Sequence, residues 1–171
     1  MKLIQLLTTL TAAIFFTTGA ISEGAKSPEW LFVHTAPTAE MTSNTTLVIP
    51  VTRDIFAFTD RPNRRYGYLN AHEWVSAWDE SESAGFKVDP PNAVLTWVDG
   101  DDVKDAEVLI INATVGDYGK TIAYEVKLEA GGLLAANLSS CSLFVDGHVL
   151  APRPHWHPDG TFRFSRSMNA A

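Results

Sequence analysis

The sequence predicts an all-β protein, either an antiparallel sandwich (jelly-roll or immunoglobulin-like) or a partly open barrel, with one short helix. Short runs rich in Val, Ile, Phe and Thr recur at regular spacing, and turns containing Gly, Asp or Pro separate them. One stretch alone has helical spacing. The chain has 171 residues, of which 46% are hydrophobic, so one domain with a substantial core is expected.

Three strands are predicted at the start of the domain. They are Trp30–His34, Thr46–Val51 and Ile55–Thr59, and the last two are joined through Thr52–Asp54. Their β-branched and aromatic residues suit a pleated surface that packs on a core.

Four more strands are predicted after residue 90. Ala93–Val98 leads into the turn Asp99–Asp102. Ala106–Val115 is so apolar that burial of both faces is expected, whereas Thr121–Leu128 alternates and predicts a half-exposed strand. Ser139–Val145 is the last strand predicted with a clear pattern.

The predicted helix begins after Asn70. Asn70 is a favourable N-cap, and Glu73 three residues later completes a variant of the capping box. Leu69 and Trp74 have the spacing of a hydrophobic staple, and Trp74 and Trp78 share one helix face. We therefore expect both Trp side chains to be buried against the sheet rather than displayed to a ligand.

The chain divides into three parts. Residues 1–20 have a basic start at Lys2, an apolar run and small residues near Ala20, which is typical of a cleaved signal peptide. Residues 27–146 form the predicted β domain, and the Pro- and His-rich residues 147–171 are a final hairpin or tail. The expected location is secreted or periplasmic, without a stable membrane span after cleavage.

Charge and cysteine content exclude several classes of protein. The net charge is −7, and loss of Lys2 leaves twelve basic and twenty acidic residues, a net charge of −8. Such a field does not favour nucleic acid. The single Cys141 excludes an intramolecular disulfide framework, and its place in an apolar run predicts a buried thiol.

A cluster of arginines is the main candidate ligand-binding site. Four of the thirteen Lys and Arg residues lie within residues 53–65 of this acidic chain. Arginine forks suit carboxylate, sulfate or phosphate groups. The alternative is that the neighbouring aspartate ties an arginine into a structural loop network. The candidate residues are Arg53, Asp60, Arg61, Arg64, Arg65 and Tyr66.

Two further motifs raise the question of metal binding. His155 and His157 have the spacing that points two imidazoles the same way in extended backbone, but two ligands leave zinc short of the three or four it usually takes. The acidic residues of Asp99–Asp105 do not match the calcium-loop spacing and are interpreted as a solvated hairpin tip. No tightly held metal and no cofactor are expected.

Three segments resemble a pattern in a family of small secreted bacterial proteins. They are Phe58–Pro62, Asp89–Leu95 and Ser142–Asp146, and together they span most of the predicted mature chain. The resemblance implies a secreted single domain, and it implies no activity.

These observations predict a secreted protein that binds a small anionic ligand, a glycan or a protein partner without catalysis. The chain has no Gly-x-Ser-x-Gly, His-Glu-x-x-His or phosphate-loop motif. The alternatives are a small hydrolytic or metal-dependent enzyme, and a structural component of a cell envelope.

Overall fold

The computed structural model describes residues 29–62, 64–79, 85–132 and 134–147, together with the backbone of residues 154–156 and 162–164. Within these residues the fold consists of strands, one short α-helix and two single 3₁₀ turns. The strands are β1 (Trp30–Met41), β2 (Thr46–Pro50), β3 (Ile55–Thr59), β4 (Tyr66–Leu69), β5 (Asn92–Asp99), β6 (Asp102–Gly116), β7 (Thr121–Gly131), β8 (Asn137–Gly147), β9 (Pro154–Trp156) and β10 (Phe162–Phe164).

Six antiparallel strands close into a barrel. Their order is β2-β7-β6-β5-β8-β1, and β1 returns to β2 through the pairs Glu40↔Val48 and Met41↔Leu47. Closure supplies every one of these strands with two neighbours and leaves none of them as an open edge. The all-β class is confirmed, and the strand order supports the barrel alternative, in a closed form, rather than two separate sheets packed face to face.

Strand β1 has two successive neighbours on one side. Its end pairs with β2, and its start pairs with β3. Val33 pairs with Phe56 and Glu40 pairs with Val48. Glu40 lies seven positions after Val33, whereas Phe56 lies eight positions after Val48, so the facing segment carries one extra residue. This extra residue falls in the irregular segment 51–54, where the chain leaves the barrel.

Strands β3 and β4 therefore extend the sheet beyond the barrel. They pair antiparallel through Phe56↔Tyr68 and Phe58↔Tyr66, and β10 then pairs with β4 in parallel while β9 pairs with β10. Strand β4 was not predicted from the sequence, because four residues between polar loops give too short an alternation to detect.

The core lies between the barrel wall and the helix α1 (Ala71–Val75), which continues as a 3₁₀ turn to Trp78. The Asn70 side chain accepts from the N–H groups of His72 and Glu73, and the Glu73 side chain accepts from the Asn70 N–H, so the predicted capping box is confirmed. Trp74 and Trp78 are buried, as predicted. The aromatic core around them comprises Phe32, Trp74, Trp78, Phe86 and Tyr124.

Replacing Gly131 at the end of β7 should destabilise the fold. Gly131 has φ of +102°, and a Cβ there would lie 2.8 Å from Ala106 Cα and 2.9 Å from Asp105 O. We expect Gly131→Ala to cost about 1–3 kcal/mol, measured by urea unfolding. Gly132→Ala is the matched control, because a Cβ there meets no atom within 4 Å. Equal stability of the two variants would contradict this account.

Candidate binding face

Four aromatic side chains lie together on the outer side of the β3–β4 hairpin. Alternation along β3 turns Ile55, Ala57 and Thr59 inward, so that Phe56 and Phe58 point outward. Along β4, Gly67 and Leu69 point inward in the same way. We call the four outward residues the aromatic face: Phe56, Phe58, Tyr66 and Tyr68.

The rings of the aromatic face form one connected group. Phe56 and Phe58 stack with centroids 5.5 Å apart and planes at 21°. The Phe56 ring also lies 5.4 Å from that of Tyr68 and 6.4 Å from that of Tyr66. Both Tyr side chains remain 46% exposed. The group is therefore an open aromatic surface, not part of the core.

Apolar side chains continue this surface across the neighbouring strands. Val33 of β1 pairs with Phe56 on one side and with Phe144 of β8 on the other, and Val94 of β5 pairs with Phe144. Phe144 is 43% and Val94 40% exposed. Exposed apolar patches of this continuity mark interaction sites on soluble proteins.

The turn between β3 and β4 carries three of the candidate arginines, Arg61, Arg64 and Arg65. The Asp60 side chain accepts a hydrogen bond from the Arg61 backbone N–H, and its carbonyl accepts from the Arg64 N–H at 3.2 Å. The Arg65 N–H donates to Thr59 Oγ1 at 2.9 Å. The backbone of the turn is thus held by local hydrogen bonds, while its side chains are exposed. We call Arg61, Arg64 and Arg65 the arginine turn.

Arg53 lies at the other end of β3. Its Nε donates to Thr35 Oγ1 at 3.1 Å, and Thr35 lies on the same side of β1 as Val33. The six predicted ligand-binding residues therefore lie on β4 or in the segments that flank β3, and Arg53 and Tyr66 have side-chain contacts on its outer side. The structure also adds Phe56, Phe58, Tyr68 and Phe144, which the sequence analysis missed. The two Phe residues alternating within Ile55–Thr59 were the signal that could have found them.

Arg53 and the three residues of the arginine turn make no ion pair with another described residue. The ion pairs between described residues are Lys104–Asp102 within β6 and Lys127–Glu129 within β7. No carboxylate of a described residue lies within 4.0 Å of the guanidinium groups of Arg53 or the arginine turn. Asp60 contacts the backbone of its neighbours and makes no ion pair with their side chains among the described residues. Among the described residues no close carboxylate neutralises these guanidinium groups, which makes them candidates for contact with an anion.

A buried chain of hydrogen bonds inside the barrel joins His34, Tyr124 and Trp74. His34 Nε2 lies 3.2 Å from the Pro50 carbonyl, which only accepts, so Nε2 carries the proton and Nδ1 is an acceptor. Tyr124 then donates to His34 Nδ1 at 2.9 Å and accepts from Trp74 Nε1 at 2.8 Å. Every side-chain polar atom of these three residues therefore has a hydrogen-bond partner.

Burial keeps the His34 imidazole and the Tyr124 hydroxyl neutral. Desolvation lowers the pKa of the His34 imidazole to about 4, although the hydrogen bond to the Pro50 carbonyl opposes the shift. Desolvation likewise raises the pKa of the Tyr124 hydroxyl, with the Trp74 hydrogen bond opposing it. His34 is 1% exposed and Tyr124 is 0% exposed, so no substrate reaches them. These hydrogen bonds connect helix α1, β7, β1 and the end of β2.

The other predicted sites give no assembled centre. Gly100 and Asp101 form the exposed β5–β6 turn, with Asp102 bound to Lys104 at 3.3 Å. Across the described residues no group of three or more His, Cys, Asp or Glu side chains is placed to hold a metal. His157 and the side chain of His155 lie outside the described residues. Cys141 is buried, as predicted, and its Sγ donates to the Ala36 carbonyl at 3.5 Å.

No helix in the described part of the chain is long and apolar enough to cross a membrane. A scan against protein-family models, a search of curated proteins and a search of solved structures each find no match to this chain.

Proposed function

We propose that this is an exported, non-catalytic binding protein that takes an anionic ligand on its outer sheet surface. The observation that carries the proposal is the meeting, along one strand, of an exposed aromatic face and four arginines without carboxylate partners among the described residues. Arginine and aromatic residues are the types most enriched in the energetically important parts of interfaces.

The arginines favour anionic ligands at this surface, whereas the rest of the protein is acidic. The protein carries twenty acidic and thirteen basic residues, yet four of its basic residues flank the single strand β3. A local cationic site on an acidic protein attracts an anion at short range, while the overall charge repels polyanions that do not fit the surface.

Export remains part of the proposal. The predicted signal peptide, residues 1–20, lies outside the described residues. Support comes from its layout of a basic start, an apolar run and small residues, and from the resemblance to small secreted bacterial proteins. A secreted or periplasmic location would place the aromatic face in contact with envelope or extracellular material.

The proposal is tested by measuring binding of the full-length protein to three anionic probes. These are polygalacturonate, polyglutamate, and vesicles of phosphatidylglycerol in phosphatidylcholine. We expect saturable binding to at least one of them that weakens as salt is added. Binding to none of the three would contradict the proposal.

Variants then locate the site. Arg64→Asn with Arg65→Gln should weaken binding at least tenfold, because two charge-assisted contacts are lost. Asparagine is chosen at Arg64 because the backbone there has φ of 47°, which asparagine tolerates. Lys104→Gln with Lys127→Gln is the matched control: it removes the same charge from β6 and β7 and should leave affinity unchanged. Equal loss in both double variants would indicate a general charge effect instead of this site.

A further inference from the structure

We propose that the ligand is an extended acidic polysaccharide that lies along β3 and carries carboxylate or sulfate groups. This inference rests on the proposed function of the aromatic face and the arginines. It adds the chemical class of the ligand and its direction on the surface.

The candidate arginines are widely spaced along β3. Arg53 precedes β3 and the arginine turn follows it, so the positive charges stand at the two ends of a five-residue strand. A strand of this length spans about 16 Å at ~3.3 Å per residue. A single carboxylate or phosphate reaches one end alone. A ligand that uses both ends carries separated anionic groups.

Aromatic rings lie between the two groups of arginines. The rings of Phe56 and Phe58 stack along the strand, flanked by Tyr66 and Tyr68 on the next strand. Aromatic faces carry partial negative charge and attract polarised C–H groups. A pyranose ring presents such C–H groups on its face and its hydroxyls at its rim. The exposed Tyr66 and Tyr68 can form hydrogen bonds with these hydroxyls. So can Asp146, which pairs with Leu31 and is exposed on β8.

The aromatic face is open to solvent. The aromatic side chains project from adjacent strands of one sheet, and the two Tyr side chains are nearly half exposed. Small molecules are usually held in concave pockets that enclose most of their surface. An open surface suits a long ligand, which gains affinity from several weak contacts along its length.

A peptide and a bilayer fit this surface less well. The edge of β4 beside the aromatic face already pairs with β10, so a peptide cannot be added there as a strand. Asp54 and Asp60 are exposed next to Arg53 and Arg61 in the chain without pairing with them, and Asp146 is exposed opposite Leu31. A continuous anionic lipid surface would be repelled by these carboxylates. A flexible chain with spaced charges can place its anions beside the arginines and its hydroxyls beside the carboxylates.

The test is a length series with the full-length protein. The probes are galacturonate as monomer, trimer and hexamer, with sulfated dextran and neutral dextran as polymers. We expect at least one of the acidic polymers to bind and neutral dextran not to bind. Where the carboxylate is recognised, affinity should rise at least a hundredfold from galacturonate monomer to hexamer. Binding of carboxylated but not sulfated chains, or the reverse, identifies which acidic group is recognised.

Arg53→Gln gives the sharpest readout. It should weaken hexamer binding at least tenfold and leave monomer binding unchanged, because only a long ligand reaches both ends of β3. Lys104→Gln is the control, and thermal unfolding by circular dichroism confirms that both variants are folded. Equal affinity for monomer and hexamer, or an Arg53→Gln variant with unchanged hexamer affinity, would overturn the extended-ligand proposal.

Other outcomes separate this inference from the proposed function. If polyglutamate or the vesicles bind through the arginine turn and no polysaccharide binds, the inference fails and the proposed function stands. If none of the probes binds, both fail. If sedimentation shows a dimer that Tyr68→Ala dissociates, the occupant of the surface is a second copy of the chain and the polysaccharide is excluded.

Discussion

Replacing Trp78 by alanine should lower the free energy of unfolding by about 3–5 kcal/mol, the range for deletion of a buried aromatic ring. Trp78 is 4% exposed, and its ring lies 4.7 Å from that of Phe86 and 5.2 Å from that of Trp74. Its Nε1 also donates to the Ile110 carbonyl at 3.3 Å. Alanine would leave a cavity beneath the helix and remove this hydrogen bond. Urea unfolding followed by far-ultraviolet circular dichroism measures the change.

Tyr68→Ala is the matched control for the Trp78 variant. It also deletes a large aromatic ring, but from the exposed outer surface, where Tyr68 is 46% exposed. We expect a smaller loss of about 1–2 kcal/mol, because nearly half of the Tyr68 surface stays in water in the folded protein. If Trp78→Ala and Tyr68→Ala had equal free energies of unfolding, packing of the helix on the core through Trp78 would not stabilise the fold as proposed. The same measurement confirms that Tyr68→Ala is folded for the binding experiments.

Acid should destabilise the protein through His34. The unfolded imidazole has its ordinary pKa of 6.5, and burial lowers the pKa in the fold to about 4. The folded state therefore favours the neutral form, so this contribution is complete above pH 6.5 and is lost as the pH falls from 6.5 to 4. Over that window the loss from this group amounts to about 3 kcal/mol.

The molecular reason for the acid effect is the direction of the buried hydrogen bonds. Protonation of His34 Nδ1 turns an acceptor into a donor, and the Tyr124 hydroxyl, which donates to it, loses its acceptor. Tyr124 still receives the Trp74 N–H, so one proton of the chain is left without a partner. The charge itself is also placed in a site that burial has removed from water.

The measurement compares the unfolding free energy at pH 7 and pH 4.5 in wild type and His34→Gln. Carboxylates titrate in the same window, so the difference between the two proteins isolates His34. Leu143→Ala is the control, since it destabilises the buried core without removing a titratable group and should keep the wild-type pH dependence. An identical pH dependence in His34→Gln would rule out the imidazole as its source.

The polar groups inside the barrel and those on the candidate binding face thus differ in pairing and exposure. Inside the barrel, polar groups are neutral and fully paired, so each has a structural role. On the outer surface, charged and aromatic groups remain exposed to solvent. Variants of Arg53, Arg65 or Tyr68 can therefore test binding with small effects on stability, whereas variants of His34 or Trp78 report on the fold.

Local patterns were sufficient to predict most elements of the fold. The alternation of Thr121–Leu128 predicted β7, and Asn70 with Glu73 predicted the start and the cap of the helix. The strands are longer than predicted: β1 continues to Met41 and β6 begins at Asp102. Polar residues at these strand ends carry no strong preference of their own, and pairing with a neighbouring strand keeps them extended.

By itself, the sequence determined the all-β class, the single capped helix, the buried tryptophans and the arginine cluster, because each depends on residues close together in the chain. Only the tertiary structure decided that β1 closes a barrel with β2, and that one extra residue opposite β1 carries β3 out of it. The same is true of the aromatic face, since Phe56 meets Tyr68 and Val33 through strand pairing. Register between distant strands is set by packing of the whole core, which no local pattern encodes.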